Sequence, residues 1–239
     1  MPADDRVVLI TGATGGLGRV VTEALLERGM RVVSTYKRRV PLDELLKSLG
    51  DMGKNFFAIE ADLTVQEDVQ ALVEKAVEKH GRIDVLLNIA GAYTGGHDVA
   101  DTPVTDLDSM LNVNLKTAFL CCRAVLPVMI KQNYGKIVSV AARPAVEKRY
   151  RAKSGAYAIS KAGVVVLTET IAEEVKKYDI NVNAIMPSTI DTPDNRRNMP
   201  DADFSKWVKP GDIAKVIFHL ISDDSKVTNG AAVPVYGKA

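Results

Sequence analysis

Cysteine is almost absent: the 239 residues contain only Cys121 and Cys122, which are sequence neighbours. That pair offers no disulfide framework, so the fold must rest on a hydrophobic core, and the usage fits a reducing cytoplasm. Histidine is equally sparse. His80, His97 and His219 are scattered without a second ligand at metal spacing, and no metal site is expected. Neither sign of charge is in excess, with 31 Lys and Arg against 30 Asp and Glu, interspersed along the chain. Phosphate contacts would show as a basic excess, so a nucleic-acid binder is excluded. No apolar run in the sequence reaches membrane-spanning length, so no membrane association is expected. The polar Met1 to Asp5 lacks the basic start, apolar centre and cleavage site of a secretory signal. Internal repeats and low-complexity linkers are missing too, leaving one domain over 1–239.

What is present is 46% hydrophobic sequence cut into regular pieces. Apolar, β-type runs at Val7 to Ile10, Arg31 to Thr35, Phe56 to Ile59, Ile83 to Leu87, Lys136 to Val140, Ile180 to Ile185 and Ala232 to Val235 alternate with segments of helical length. Helical periodicity is clearest at Leu17 to Arg28, Gln66 to Lys79, Leu107 to Lys131, Ala156 to Lys177 and Ile213 to Ile221. Gly29 and Gly81 stand where C-terminal caps are expected, and Pro210 just inside the last helix start. The alternation predicts an α/β fold, a Rossmann-type doubly wound parallel sheet of about seven strands covered by helices on both faces. Two irregular stretches, Ala142 to Gly155 and Pro187 to Lys209, directly follow strands and are expected to wall the ligand site.

The first strand runs into Thr11-Gly12-Ala13-Thr14-Gly15-Gly16-Leu17-Gly18 and then a helix. Glycines at 12, 16 and 18 permit a tight turn, close approach of backbone to a diphosphate, and close packing of helix on sheet. The helix N-terminus adds free N–H groups for the anion. Further on, Tyr157 and Lys161 are four apart in a helical stretch, so phenol and ammonium share one face. A nearby cation favours the phenolate and would draw a phenol, ordinarily near a pKa of about 10, toward useful acid–base chemistry.

Thr-Gly-x-x-x-Gly-x-Gly at 11–18, Asp62-Leu63, Asn88-Ile89-Ala90-Gly91, Asn114 and Tyr-x-x-x-Lys at 157–161 together resemble the short-chain dehydrogenase/reductase family, in motif order and over nearly the whole chain. The resemblance implies a nicotinamide cofactor and an oxidoreductase moving hydride between the nicotinamide and a carbonyl or alcohol. It also implies a homodimer or homotetramer built on two long helices. Thr11, Gly12, Gly16, Leu17 and Gly18 would then form the diphosphate loop, Asp62 with Leu63 would meet the adenine, Asn88 would brace the central strand, and Ala90 with Gly91 would line the adenosine ribose. The family more often has a second asparagine where this chain has Ile89, which is expected to point into packing. Pro187, Ile190 and Thr192 match the segment that meets the carboxamide and diphosphate, with Ser188 replacing the usual glycine. Tyr157 would be the acid/base, Lys161 its tuning and ribose-holding partner, and Asn114 the holder of a relay water.

At the end of the second strand a carboxylate would accept from the 2′-hydroxyl of NAD and repel a 2′-phosphate. This chain has Tyr36-Lys37-Arg38-Arg39 instead. With no acid there and three cations following, NADP(H) is favoured over NAD(H), a solvated basic turn being the plainer alternative. Arg19 is a further candidate for the same phosphate.

One family feature is missing. The serine that binds the substrate oxygen beside the tyrosine aligns with Ala142, or with Pro144 when counted back from Tyr157, and no hydroxyl lies between Val140 and Val146. Ser139 faces the other side of a period-2 strand, while Ser154 and Tyr150 are the nearest substitutes. Losing one such donor costs about 100-fold to 1000-fold in rate, which attenuates a reductase without abolishing it. The segment from Arg143 to Lys153 is rich in Arg and Lys, which reads either as solvated surface or as a grip on an anionic small-molecule substrate. Asp194 to Lys209, with Met199 and Trp207, is expected to be a short substrate lid. The leading expectation is an NADP-dependent oxidoreductase; the alternative is an NADP-binding sensor or scaffold with little catalysis.

Overall fold

Runs of Val, Ile and Leu that are buried on both sides pair edge to edge in a computed structural model describing residues 4–238. Met1 to Ala3 of the polar start lie outside the described residues. The strands are β1 (Val7–Thr11), β2 (Arg31–Tyr36), β3 (Phe56–Glu60), β4 (Val85–Asn88), β5 (Gly135–Val140), β6 (Ile180–Pro187) and β7 (Ala232–Val235). They form one sheet in the order β3-β2-β1-β4-β5-β6-β7, every pair parallel. This is the Rossmann-type doubly wound sheet that the alternation predicts. The helices are α1 (Gly16–Glu27), α2 (Arg39–Leu49), α3 (Gln66–His80), α4 (Val104–Met110), α5 (Thr117–Gln132), α6 (Gly155–Glu174), α7 (Pro193–Asn198) and α8 (Pro210–Ile221).

Strand residues alternate faces, and the helices cover both. Val8 and Ile10 pack with Leu17, Val21, Leu42 and Ile217 on one side. Val7 and Leu9 pack with Leu72, Cys121, Val125 and Ile171 on the other. Both thiols are free and buried, and burial pushes Cys122 up to about 12, which leaves it inert packing. Because β1 lies next to β4, chain connections leave in opposite directions from these two strands, and a crevice opens beyond their carboxyl ends.

Three sequence expectations need adjustment. β4 starts at Val85, not Ile83, because the Ile83 backbone is taken by the Gln132 amide, which accepts from its N–H at 3.0 Å and donates to its carbonyl at 2.8 Å. The helix expected from Leu107 starts at Val104 and contains a π segment, Leu111–Lys116, between α4 and α5. That continuous helix, Val104–Gln132, has a mean hydropathy of 1.5 over its most apolar 18 residues, so among the described residues one helix is long and apolar enough to cross a membrane. The same residues include Cys121, Cys122, Val125 and Met129, which are fully buried against the sheet.

Thr11 ties the fold to its crevice. Its buried hydroxyl accepts from the N–H groups of Ile89 and Ala90, both at 3.1 Å, and so holds the turn after β4 against the end of β1. Thr11→Val keeps the shape but removes that acceptor, which should cost about 1–3 kcal/mol. At about 2–4 °C per kcal/mol for a chain of this size, thermal melting should show a clear fall in Tm, and Thr11→Ser should restore most of it. A valine variant as stable as wild type would show that the turn is held by other contacts.

Candidate active site

The glycine loop is shaped by close backbone approaches. Gly12 adopts φ +74°, and a Cβ there would lie 2.9 Å from Ala90 N. A side chain on Gly18 would collide with the Gly12 carbonyl, so helix α1 could not start where it does. Its first residues carry no side-chain cap, and their N–H groups point out of the helix end. From the other side of the crevice Thr192 drops its methyl onto Gly16, where a Cβ would be only 2.7 Å away. The Thr192 hydroxyl caps α7 by accepting from Asn195 N at 3.2 Å. Ile190 precedes it, half-buried, with its carbonyl accepting from Asn195 Nδ2 and Thr192 N. Pro187 closes β6. Thr11, by contrast, spends its hydroxyl on Ile89 and Ala90, behind the loop.

A cleft of about 180 Å³ continues from this loop, lined among others by Gly12, Tyr36, Lys37, Asp62, Leu63 and Ala90. Asp62 Oδ1 accepts from Thr64 N at 2.9 Å and Thr64 Oγ1 at 2.7 Å, and its other oxygen pairs with Lys37 Nζ at 2.7 Å. Lys37, followed by the Thr64 bonds, holds the Asp62 carboxyl down to about 2. The cations after β2 are therefore not equivalent. Lys37 is paired with Asp62, Arg39 with Asp43 at 2.8 Å and Arg19 with Glu44 at 3.7 Å, whereas Arg38 makes no ion pair among the described residues. Residues that leave a backbone-lined cradle, an uncapped helix start and an adjoining cleft fit a dinucleotide.

At the far end of the crevice Asn114, Lys161 and Gly91 converge. A Cβ on Gly91 would stand 2.7 Å from Asn114 Oδ1 and 3.1 Å from Lys161 Nζ, so only glycine admits both side chains. Asn114 sits in the π segment and is buried. Its Oδ1 accepts from Ala92 N at 2.9 Å, and its Nδ2 donates to Ala92 O at 3.0 Å and Ser160 Oγ at 3.0 Å. Ser160 in turn donates to the Tyr157 carbonyl at 2.8 Å. Asn88 bridges strands β4 and β5, its Nδ2 donating to Ser139 Oγ at 3.1 Å. Half-buried Ile89 packs into the apolar cluster beneath.

Tyr157 and Lys161 both lie on α6, but their electrostatics differ from the sequence expectation. Burial pushes the Tyr157 phenol up to about 12, and the neighbouring Tyr93 phenol adds to the rise. Burial likewise pushes the Lys161 ammonium down to about 8. Lys161 does not draw the phenol down, because its Nζ donates to the Val140 carbonyl at 2.7 Å and desolvation dominates both groups. At neutral pH the phenol is fully protonated, a donor in waiting.

Ala142, at the position of the absent serine, is buried. Ser154 does not stand in for it, since its Oγ donates to the carbonyls of Tyr150 at 3.2 Å and Arg151 at 3.1 Å. The basic segment is largely structural. Arg143 is buried between the rings of Tyr150 and Tyr236, at 3.8 and 4.4 Å, beside Glu147 at 3.3 Å. Arg151 staples the carbonyls of Pro144 and Ala145. Arg149, Lys148 and Lys153 remain exposed. Ser160, Tyr93 and the Val140 carbonyl belong to the site although the sequence reading does not select them; the place of Ser160 inside the Tyr-x-x-x-Lys motif was the available signal.

A model of the family described as short chain dehydrogenase matches residues 6–203. The chain is 33% identical over 245 residues to 3-oxoacyl-(acyl-carrier-protein) reductase from Thermotoga maritima, covering 99% of this chain and 98% of that one. Among solved structures, ElxO with NADP bound superposes with a TM-score of 0.91 at 26% identity, covering 98% of this chain and 98% of that chain. NAD⁺-bound xylitol dehydrogenase superposes with a TM-score of 0.91 at 28% identity, covering 99% and 100%.

Lys161 carries a stability cost that can be measured. A fall from the ordinary 10.5 to about 8 corresponds to roughly 3 kcal/mol against charging, against about 1 kcal/mol for its single hydrogen bond. Lys161→Met should therefore raise Tm at pH 7 by several degrees in the cofactor-free protein. Below pH 8 the wild-type penalty is fully present. Between about 8 and 10.5 the folded state sheds its proton before the unfolded state does, so wild type gains stability and the gap to the variant narrows. Melting curves at pH 7 and pH 10 test this, and a methionine variant less stable than wild type at pH 7 would refute it.

Proposed function

The chain belongs to the short-chain dehydrogenase family, and on that premise we propose that it is an NADP(H)-dependent reductase of small carbonyl compounds with Tyr157 as proton donor. Membership carries an oxidoreductase activity with a nicotinamide dinucleotide, NAD(P). The observation that carries the finer reading is the convergence of Asn114 and Lys161 on Gly91, one helical turn from Tyr157, at the open end of the dinucleotide cradle.

When bound, the nicotinamide supplies or accepts the hydride. The chain's own residues do the rest. Tyr157 hands its proton to the carbonyl oxygen as charge develops there, which a phenol held protonated near neutral pH is suited to do. Lys161, one turn further along α6, presents its ammonium between the Val140 carbonyl and the space beside Gly91. Asn114 fixes the loop after β4 through both bonds to the Ala92 peptide. Ala142 offers no hydrogen bond, which favours a modest rate on simple ketones and is the one observation in favour of the rival reading, an NADP-binding sensor with little catalysis.

NADP(H) over NAD(H) rests on the end of β2. No carboxylate follows Tyr36, and Arg38 is an exposed guanidinium without an ion-pair partner among the described residues, free to form charge-assisted bonds to a 2′-phosphate. The substrate is a small molecule, with anionic compounds favoured by exposed Lys148 and Lys153, Arg149 being paired with Glu147 at 3.2 Å. Exposed Phe119 on α5 with Ile159 and Val166 on α6 supports a homodimer or homotetramer built on these helices. The cysteine usage supports a cytoplasmic setting.

Two substitutions test this. Tyr157→Phe should bind NADPH as wild type does and lose roughly 10²- to 10⁴-fold in turnover, followed as loss of nicotinamide absorbance over a panel of 3-oxo esters, 2-oxo acids and diketones. Tight NADPH binding by wild type with no turnover across that panel would select the sensor reading. Arg38→Glu should weaken NADPH by about 10- to 100-fold while leaving NADH unchanged. An equal loss for both cofactors would remove Arg38 from the phosphate site.

A further inference from the structure

We infer that Tyr93, whose ring packs on that of Tyr157, supplies the second hydrogen bond to the substrate oxygen that Ala142 cannot give. A carbonyl oxygen gaining negative charge is best held by two donors, and one phenol provides only one. The serine hydroxyls around the site are spent elsewhere. Ser139 lies at the Asn88 amide, from which it accepts, Ser154 donates to carbonyls of its own turn, Ser160 donates to Tyr157 O, and Ser188 donates to Tyr236 O. Tyr93 is different. Its hydroxyl makes no hydrogen bond among the described residues, the residue is 65% exposed, and its ring meets that of Tyr157 edge to face at 5.0 Å and 74°.

That placement is built rather than incidental. Ala92, the residue before Tyr93, is clamped at both N–H and carbonyl by the Asn114 amide. Beyond it, Gly96 N donates to Lys153 O at 2.6 Å, fixing the other end of the loop two residues before α6 begins. Between these anchors Gly95 leaves the room that the Tyr93 hydroxyl needs, since a Cβ there would collide with it. The two phenols also sense each other, the Tyr93 group adding to the rise in the Tyr157 pKa. In the reaction Tyr93 keeps its proton and only donates a hydrogen bond. The transferred proton comes from Tyr157 and the hydride from the nicotinamide, so no further reactant is needed.

This inference rests on the reductase reading, and its test separates the two. Tyr93→Phe keeps the ring and its contact with Tyr157 and removes only the hydroxyl. On whichever probe of the panel wild type reduces, it should lower kcat about 10- to 100-fold with the NADPH dissociation constant unchanged. Ala142→Ser should raise kcat far more in the Tyr93→Phe background than in wild type, recovering most of the loss, whereas a merely structural role for Tyr93 would give the same gain in both. Without turnover, the Tyr157→Phe enzyme loaded with NADPH should bind the same probe, read by quenching of nicotinamide fluorescence, and adding Tyr93→Phe should weaken that binding several-fold. Tyr93→Phe within twofold of wild type, or a loss that Ala142→Ser does not repair, would overturn the role of Tyr93 while leaving the reductase standing. A wild type that reduces nothing on the panel overturns both.

Discussion

The site hangs on one carboxamide. Asn114 accepts from the Ala92 N–H, donates to the Ala92 carbonyl and donates to Ser160, so a single side chain joins the loop after β4, the long helix and α6. It can do so because the helix is over-wide at that point. In an uninterrupted α-helix successive residues advance by about 100°, and the extra residue in a π turn shifts the face that follows by about that amount. The π segment Leu111–Lys116 therefore lets α4 and α5 keep their apolar faces toward the protein while Asn114 is turned to the crevice. Gly91 completes the arrangement, since any side chain there would displace Asn114 and Lys161 together.

Around that joint the dominant electrostatic effect is desolvation. Tyr157 and Lys161 are adjacent on one helical face, and in water their attraction would lower the phenol. Enclosed by α6, the end of β5 and the loop after β4, each pays more for being charged than it gains from its neighbour, and both move toward neutrality. The Val140 carbonyl gives the ammonium its one acceptor among the described residues. Such a site is held in place by the rest of the fold, in particular the apolar clusters on the two faces of the sheet.

Much of this was legible from residues alone. Seven strands, their parallel sheet and the glycine loop follow from alternating apolar runs and from Gly12, Gly16 and Gly18, because local periodicity and backbone sterics are written directly in the chain. The motif positions Asn88, Asn114, Tyr157 and Lys161 were legible through family resemblance. What stayed hidden is whatever depends on distance in space. The sequence shows Ser154 near Tyr157 but not that its hydroxyl is bonded to the Tyr150 and Arg151 carbonyls. It shows Gln132 at a helix end but not that its amide takes the Ile83 backbone out of β4. It shows a run of basic residues from Arg143 onward, yet Arg143 is buried between two tyrosines and Arg151 is a backbone staple.

The cations after β2 make the same point with a consequence for cofactor choice. Counting Lys37, Arg38 and Arg39 suggests a threefold positive field, but Lys37 is neutralised by Asp62 and Arg39 by Asp43. Exposed pairs of this kind are worth little as stabilisers, yet each still weakens what a cation can offer an incoming anion by placing a carboxylate beside it. A preference for a 2′-phosphate then depends less on how many positive residues follow the strand than on two narrower facts. No acid occupies the strand end itself, and Arg38, at the start of α2, has no ion-pair partner among the described residues. Asp62 meanwhile stays ionised through its bonds to Lys37 and Thr64, so it remains an acceptor for an amino group at the cleft whichever dinucleotide enters. Discrimination and retention of the cofactor are thus carried by different residues, and a change at one leaves the other intact.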